Sequence, residues 1–232
     1  MADMDGNPWK RLPQECPYIL EIDRKSEYIQ RYQQVVSHDT KLMVESIPEP
    51  FIGNPKTAKV VLLNLNPGHS KTDKEEHCRS EIKEAMLHNL YREPQEYPFY
   101  PLNPAFKGTG VEKYWTDLKI RKLQEEAGID TPTFAKKLLV IEWFPYHSTR
   151  SALPKKCVCE SQKYSFQLVK QMLEEGVEIV GMRSRDHWLS ADQGFSKIPF
   201  LKNNRHPWIS RGNMDEGLFD KLVAALKVKA PQ

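Results

Sequence analysis

The stretch Val60-Val61-Leu62-Leu63-Asn64-Leu65-Asn66-Pro67-Gly68-His69-Ser70 decides how the chain is read. An apolar, partly β-branched run stops abruptly at Asn-Pro-Gly. A run without polar alternation is the pattern of a strand buried on both faces, as central parallel strands are. Pro67 has no N–H for a ladder and Gly68 permits positive φ, so the chain turns there. Asn64, Asn66, His69 and Ser70 are then delivered together at the carboxyl end of a core strand. In open α/β sheets that edge is where ligands bind.

Working outward, 232 residues with 39% hydrophobic content suit a single α/β domain over 1–232. Basic residues number 34 and acidic ones 31, so the net charge of +3 does not by itself announce nucleic-acid binding. Any such argument must rest on local clustering. No run approaches a membrane span and the first ten residues lack an apolar signal core, so a cytoplasmic location without a membrane partner is expected. Cys16, Cys78, Cys157 and Cys159 contain no Cys-x-x-Cys pair, so reduced thiols are expected rather than a metal site, and no cofactor is implied. A monomer is expected.

Residues 1–23 are rich in Pro and polar groups and predict a loosely structured segment. Tyr28, Ile29, Tyr32 and Val35-Val36 predict a helix over 24–37. Asp73 and Glu76 mark a helix start that would run to about Leu90. Tyr91 to Gly110 is long, Pro-rich and aromatic, the composition of an ordered loop or lid. Val111 to Leu123 reads as a helix ended by Gly128, and Lys137 to Trp143 as the second core strand. A helix over Cys159–Glu175, a third strand over Val177–Met182, and a short helix over Asp186–Leu189 follow. Ile198 to Leu201, interrupted by Pro199, reads as a short edge strand. Asn213 to Glu216 has the form of a capping box opening a last helix. Strands alternating with helices predict a four-stranded parallel sheet between helices, a three-layer α/β/α sandwich.

A parallel sheet delivers the residue after each strand to one rim. The first strand brings Asn64, Asn66, His69, Ser70 and Lys71; the second Glu142, Phe144, His147 and Arg150. The third brings Arg183 and Arg185; the fourth Arg205, His206, Trp208, Ser210 and Arg211. Cationic side chains suit phosphate oxygens and aromatic faces suit stacked bases, so DNA or a nucleotide-like ligand is the expected partner.

In this arrangement the sequence resembles the uracil-DNA glycosylase-like superfamily. Leu63-Asn64-Leu65-Asn66-Pro67-Gly68 resembles its water-positioning motif, closest to the Gly-x-Asn-Pro-Gly form of the mismatch-directed uracil/thymine branch. Arg205-His206-Pro207-Trp208-Ile209-Ser210 resembles its late His-Pro-Ser motif, and Leu138 to Glu142 stands where that family presents a base-reading residue. Val180-Gly181-Met182 resembles its third-strand motif, and the ordered set spans roughly residues 47–228. The resemblance implies hydrolysis of the N-glycosidic bond of a flipped-out nucleotide. Asn66 would orient the attacking water, since an amide is no strong base. His206 would hydrogen-bond the departing base. Either Phe99 or Tyr100 would stack on that base, with Asn64 and Phe144 beside it. Arg205, Trp208 and Ser210 would meet the DNA backbone and fill the vacated stack. His69, Ser70, Lys71, His147, Arg150, Arg183, Arg185 and Arg211 would complete the backbone-facing rim.

Three positions depart from the pattern. Asn64 replaces the leading Gly, and Trp208-Ile209 separate Pro207 from Ser210. The base-reading position holds Glu142 where uracil enzymes commonly hold Asn. An ionised Glu only accepts, so it would read a donor-rich edge or be protonated in the pocket; otherwise it salt-bridges Arg150 or caps a turn. These departures leave room for a non-catalytic nucleic-acid or nucleotide binder on the same fold, or for a hydrolase of free nucleosides.

Overall fold

A computed structural model of the chain describes residues 6–34 and 40–228, with the side chains of 32–34 left aside. Four strands form one open sheet in the order β1-β3-β2-β4: β1 Phe51–Ile52, β2 Val60–Asn64, β3 Leu138–Glu142 and β4 Glu178–Gly181. Every side chain of β2 and β3 is buried, as the unbroken apolar runs required. β2 pairs parallel with β3 and β4, in a register that sets Asn64 beside Glu142 and Leu63 beside Gly181. The helices are α1 Glu21–Arg24, α2 Glu27–Gln34, α3 Asp73–Glu76, α4 Ser80–Tyr91, α5 Gly110–Lys113, α6 Arg121–Ala127, α7 Thr131–Lys137, α8 Gln162–Glu174, α9 Arg185–Ala191 and α10 Leu218–Lys227. Of these, α8 packs on β3 and β4, and α10 on β2 and β4. Among the described residues no helix is long and apolar enough to cross a membrane.

The sheet is mixed rather than all parallel. β1 lies antiparallel to β3, pairing Phe51 with Ile141 and Ile52 with Val140. Two residues between prolines and a glycine carry no readable period, which is why the sequence hides this strand. The expected strand at Ile198–Leu201 shrinks to one parallel bridge between Phe200 and Gly181. Pro199 still accepts from the Gly181 N–H at 2.9 Å but has no N–H to return, so the ladder stops there.

Of the amino-terminal segment expected to be loose, residues 1–5 lie outside the described residues, and the part from Asn7 on is packed. Trp9 is fully buried, and Leu12, Tyr18, Ile19 and Leu20 join the core. The Asn7 side chain accepts from Trp9 N at 3.1 Å and donates to Leu90 O at 2.7 Å, opening a short 3₁₀ turn at Pro8–Arg11. The Tyr146 hydroxyl donates to buried Asp23 at 2.6 Å and accepts from Leu20 N at 3.2 Å, tying this segment to the end of β3. The predicted helix over 24–37 is α2 to Gln34, and Val35-Val36 lie outside the described residues. The helix expected from Asp73 to Leu90 breaks at His77-Cys78-Arg79 into α3 and α4. The Tyr91–Gly110 loop is packed inward by Phe99, Tyr100, Leu102 and Phe106 rather than free to close. The last helix starts at Leu218 after Gly217 at φ +76, without the capping box.

Candidate functional site

The carboxyl ends of β2, β3 and β4 converge on a cavity of about 740 Å³, within the size range of small-molecule sites. Asn64, Asn66, His69, Ser70, Glu142, His147 and Arg183 all line it. Several bonds fix this edge. Asn64 O accepts from Trp188 Nε1 at 2.9 Å, and Leu65 O accepts from Phe144 N at 2.8 Å. Past the strand, Pro67 O accepts from Ser148 N at 3.3 Å and Gly68 O lies 2.7 Å from His147 Nδ1. Gly68 itself stays outside the positive-φ region, so the turn is made by Pro67 and these bonds.

The Asn66 amide is held by its nitrogen. Nδ2 donates to Ser148 Oγ at 2.9 Å, Pro67 O at 3.0 Å and Tyr146 O at 3.4 Å. A nitrogen so occupied leaves Oδ1 as the atom that can accept from a water or ligand.

On the same cavity wall, paired across the strands with Asn64, is a buried acid. Glu142 is 2% exposed, and its Oε1 accepts from Asn64 Nδ2 at 3.0 Å. Glu142 Oε2 and Asn64 Oδ1 are buried without a partner, as is Arg183 Nε. Burial pushes the Glu142 carboxyl up to about 8, against the pull of the Asn64 hydrogen bond and the Arg183 charge, with Glu49 adding a smaller push. Glu142 is therefore a neutral acid at pH 7, able to donate from one oxygen while the other accepts.

A second cluster lines the same cavity. Tyr100 donates its hydroxyl to Glu49, whose carboxyl burial raises to about 7. Glu49 Oε2 lies 3.5 Å from His147 Nε2, which also faces Ile47 O at 3.0 Å. Only a doubly protonated ring donates to both carbonyls, but burial opposes that charge and holds His147 below the ordinary imidazole range. His69, His77 and His147 stand edge to face, with Ser46 Oγ 3.2 Å from His69 Nε2 and 3.1 Å from His77 Nδ1. Burial lowers all three, His77 to about 3. Among the described residues, no three His, Cys, Asp or Glu side chains are placed to hold a metal ion.

The far wall is a π-helical turn, Tyr114–Lys119, closed by Ile120 N donating to Trp115 O at 2.9 Å. Its wider step turns Tyr114, Trp115, Asp117 and Leu118 toward the cavity. Lys119 Nζ sits 4.8 Å over the Tyr114 ring, and burial brings Lys119 down to about 8.

The remaining expected residues lie elsewhere. Phe99 and Tyr100 are core side chains, Phe99 against Trp115 and Tyr100 against Phe106. Phe144 is fully buried between Tyr28 and Tyr146. Arg211 is committed to Glu126 and Asp220 at 2.5 and 2.6 Å. Lys71, Arg150, Arg185 and Arg205 are exposed and Ser210 is half-buried, all outside the cavity wall. His206 is exposed too, its ring against Trp208 at 5.9 Å between centroids, and does not line the cavity. Its loop is nonetheless ordered by Asn213, whose Nδ2 donates to His206 O at 3.2 Å and Trp208 O at 3.0 Å. Ile209 N donates to Lys119 O at 2.9 Å, which sets Trp208 beside the π turn. Glu49, His77, Asp73 and Tyr114 line the cavity although the sequence reading places none of them in a site. The Pro48-Glu49-Pro50 setting of a lone carboxylate before a strand was the available signal for the first of them.

No family model, curated protein or solved structure matches the chain.

Proposed function

We propose that the protein is a uracil-DNA glycosylase-like N-glycosyl hydrolase acting on a flipped base in DNA, on a layered α/β/α scaffold. The observation that carries this reading is one shared cavity, holding the Asn66 amide with its oxygen open and the Asn64–Glu142 pair with two unpartnered oxygens. Asn66 Oδ1 orients the water toward C1′. Neutral Glu142 offers an O–H and Asn64 a carbonyl, matching the oxygen and adjacent ring N–H of a lactam-type base. That pairing resolves the difficulty an ionised glutamate would pose at the reading position. Trp208, outside the pocket, is 50% exposed and Leu118, on its wall, is 48% exposed, apolar side chains suited to filling a vacated stack.

The test is a panel of oligonucleotides carrying uracil, hypoxanthine, xanthine or alkylated bases, single- and double-stranded, scored by alkali-labile strand breaks. Release of one of these bases is expected, with Asn66→Ala slower by about 10²-fold or more at unchanged fold. Salt-dependent binding with intact DNA throughout would replace this reading by a non-catalytic binder, which the exposed position of His206 favours. Base release that is indifferent to Asn66→Ala would remove the assigned water site.

A further inference from the structure

The base-excision reading leaves the departing base without an acid inside the cavity, because His206 stands outside it. We propose that Glu142 is the catalytic acid, passing its Oε2 hydrogen to an oxygen of the leaving base while the Arg183 guanidinium faces the carboxylate that remains. This rests on the proposed glycosidic-bond hydrolysis and adds to it a residue for the leaving group.

Three observations place the acid. Glu142 is 2% exposed at the cavity wall, and one oxygen is occupied by Asn64 Nδ2 at 3.0 Å. The other oxygen has no partner, so the hydrogen of a neutral carboxyl resides there unshared. Arg183, half-buried on the same wall, has its Nε equally unpartnered and exerts its charge on Glu142. A cation that acts on the acid without pairing with it stabilises the carboxylate left after transfer, while pulling the carboxyl's proton affinity down before it. The groups that face Glu142 are Asn64 from β2, Glu49 from the segment before β1, Arg183 after β4 and Tyr114 from the π turn. Of these, Glu49 and burial keep the proton on, whereas Arg183 and Asn64 draw it off.

The step balances. The C1′–N bond breaks and its electron pair stays with the base, whose oxygen takes the Glu142 proton. The water held by Asn66 bonds to C1′ through oxygen, and its released proton returns through solvent to the Glu142 carboxylate. The sum is one glycosidic bond and one water exchanged for a free base and a sugar hydroxyl, with Glu142 unchanged.

The experiment is single-turnover base release across pH 5–10 on uracil- and 5-fluorouracil-containing oligonucleotides and on whichever other panel base is released. In the wild-type protein the rate is expected to fall tenfold per pH unit above about 8, where Glu142 ionises. Glu142→Gln keeps shape and a hydrogen-bond donor but has no proton to give. It is expected to bind oligonucleotide within a few-fold of wild type, to lose about 10²–10⁴ in rate, and to lose the falling limb. Where uracil is a substrate, its loss exceeds that for 5-fluorouracil, whose anion leaves more readily. Arg183→Met, which leaves the acid in place, moves the falling limb to higher pH. Asn66-dependent release with an undiminished rate and unchanged pH profile in Glu142→Gln overturns this assignment alone. Absence of release from every oligonucleotide overturns both it and the hydrolase reading.

Discussion

Glu142 and Glu49 each hold a proton that the unfolded chain gives up near its ordinary pKa of 4.5, since folding raises them to about 8 and 7. The folded state therefore binds more protons than the unfolded state between pH 4.5 and those values. These two carboxyls lose their contribution as pH rises through that window, while His69, His77 and His147, lowered by burial, act with the opposite sign up to about 6.5. Chemical denaturation is expected to show the net loss above about pH 6.5, where the histidines no longer offset the two carboxyls, at ~1.4 kcal/mol for each tenfold change in proton affinity. Glu142→Gln flattens its share, so the variant gains on wild type at pH 8 and not at pH 5. An unaltered slope would mean Glu142 is already ionised at neutral pH. At this scale the sequence was legible where a residue sat just past an apolar run. Asn64 and Asn66 follow one and are capped by Pro67-Gly68. His77 enters the site only through tertiary packing, so no local pattern marks it, and Glu49 is marked only by its two flanking prolines.

Long apolar runs made β2, β3 and β4 readable, because burial on both faces leaves no other composition. The short elements were not. α7 shows only Phe134 and Ala135 as apolar residues to the core, capped by Asp130 accepting from Thr133 N at 2.9 Å. The π turn has no compositional signature, yet it shapes one wall of the cavity. β1 depends on Gly53, which takes φ +118 and brings its backbone against β3. A Cβ there would stand 2.4 Å from Leu138 O, a backbone atom that cannot swing aside. Gly53→Ala is expected to lose at least ~2 kcal/mol in urea unfolding, from positive-φ strain and overlap together. A loss below ~0.5 kcal/mol would show that the edge strand can detach without consequence.

Across the whole molecule, the amino-terminal segment behaves as a strap over the core. Its polar, proline-rich composition suggests slack chain, but aperiodic packing of Trp9, Leu12, Tyr18, Ile19 and Leu20 fixes it. Trp9 lies 6.1 Å from Tyr146 and is fully enclosed. Trp9→Ala is expected to cost ~3–5 kcal/mol by thermal or urea unfolding, a loss a decorative tail would not produce. Proton balance at Glu142 should be untouched, so the falling limb of the rate profile should keep its position in the variant.

The His147 ring reaches Gly68 and Ile47, respectively 79 and 100 residues earlier in the chain. During synthesis, then, the Asn-Pro-Gly turn waits without this brace until His147, 79 residues after Gly68, has emerged. Nascent chains too short to include that imidazole possess a hydrophobic strand but no finished pocket, so ligand capture and completion of the tertiary structure become a single late event.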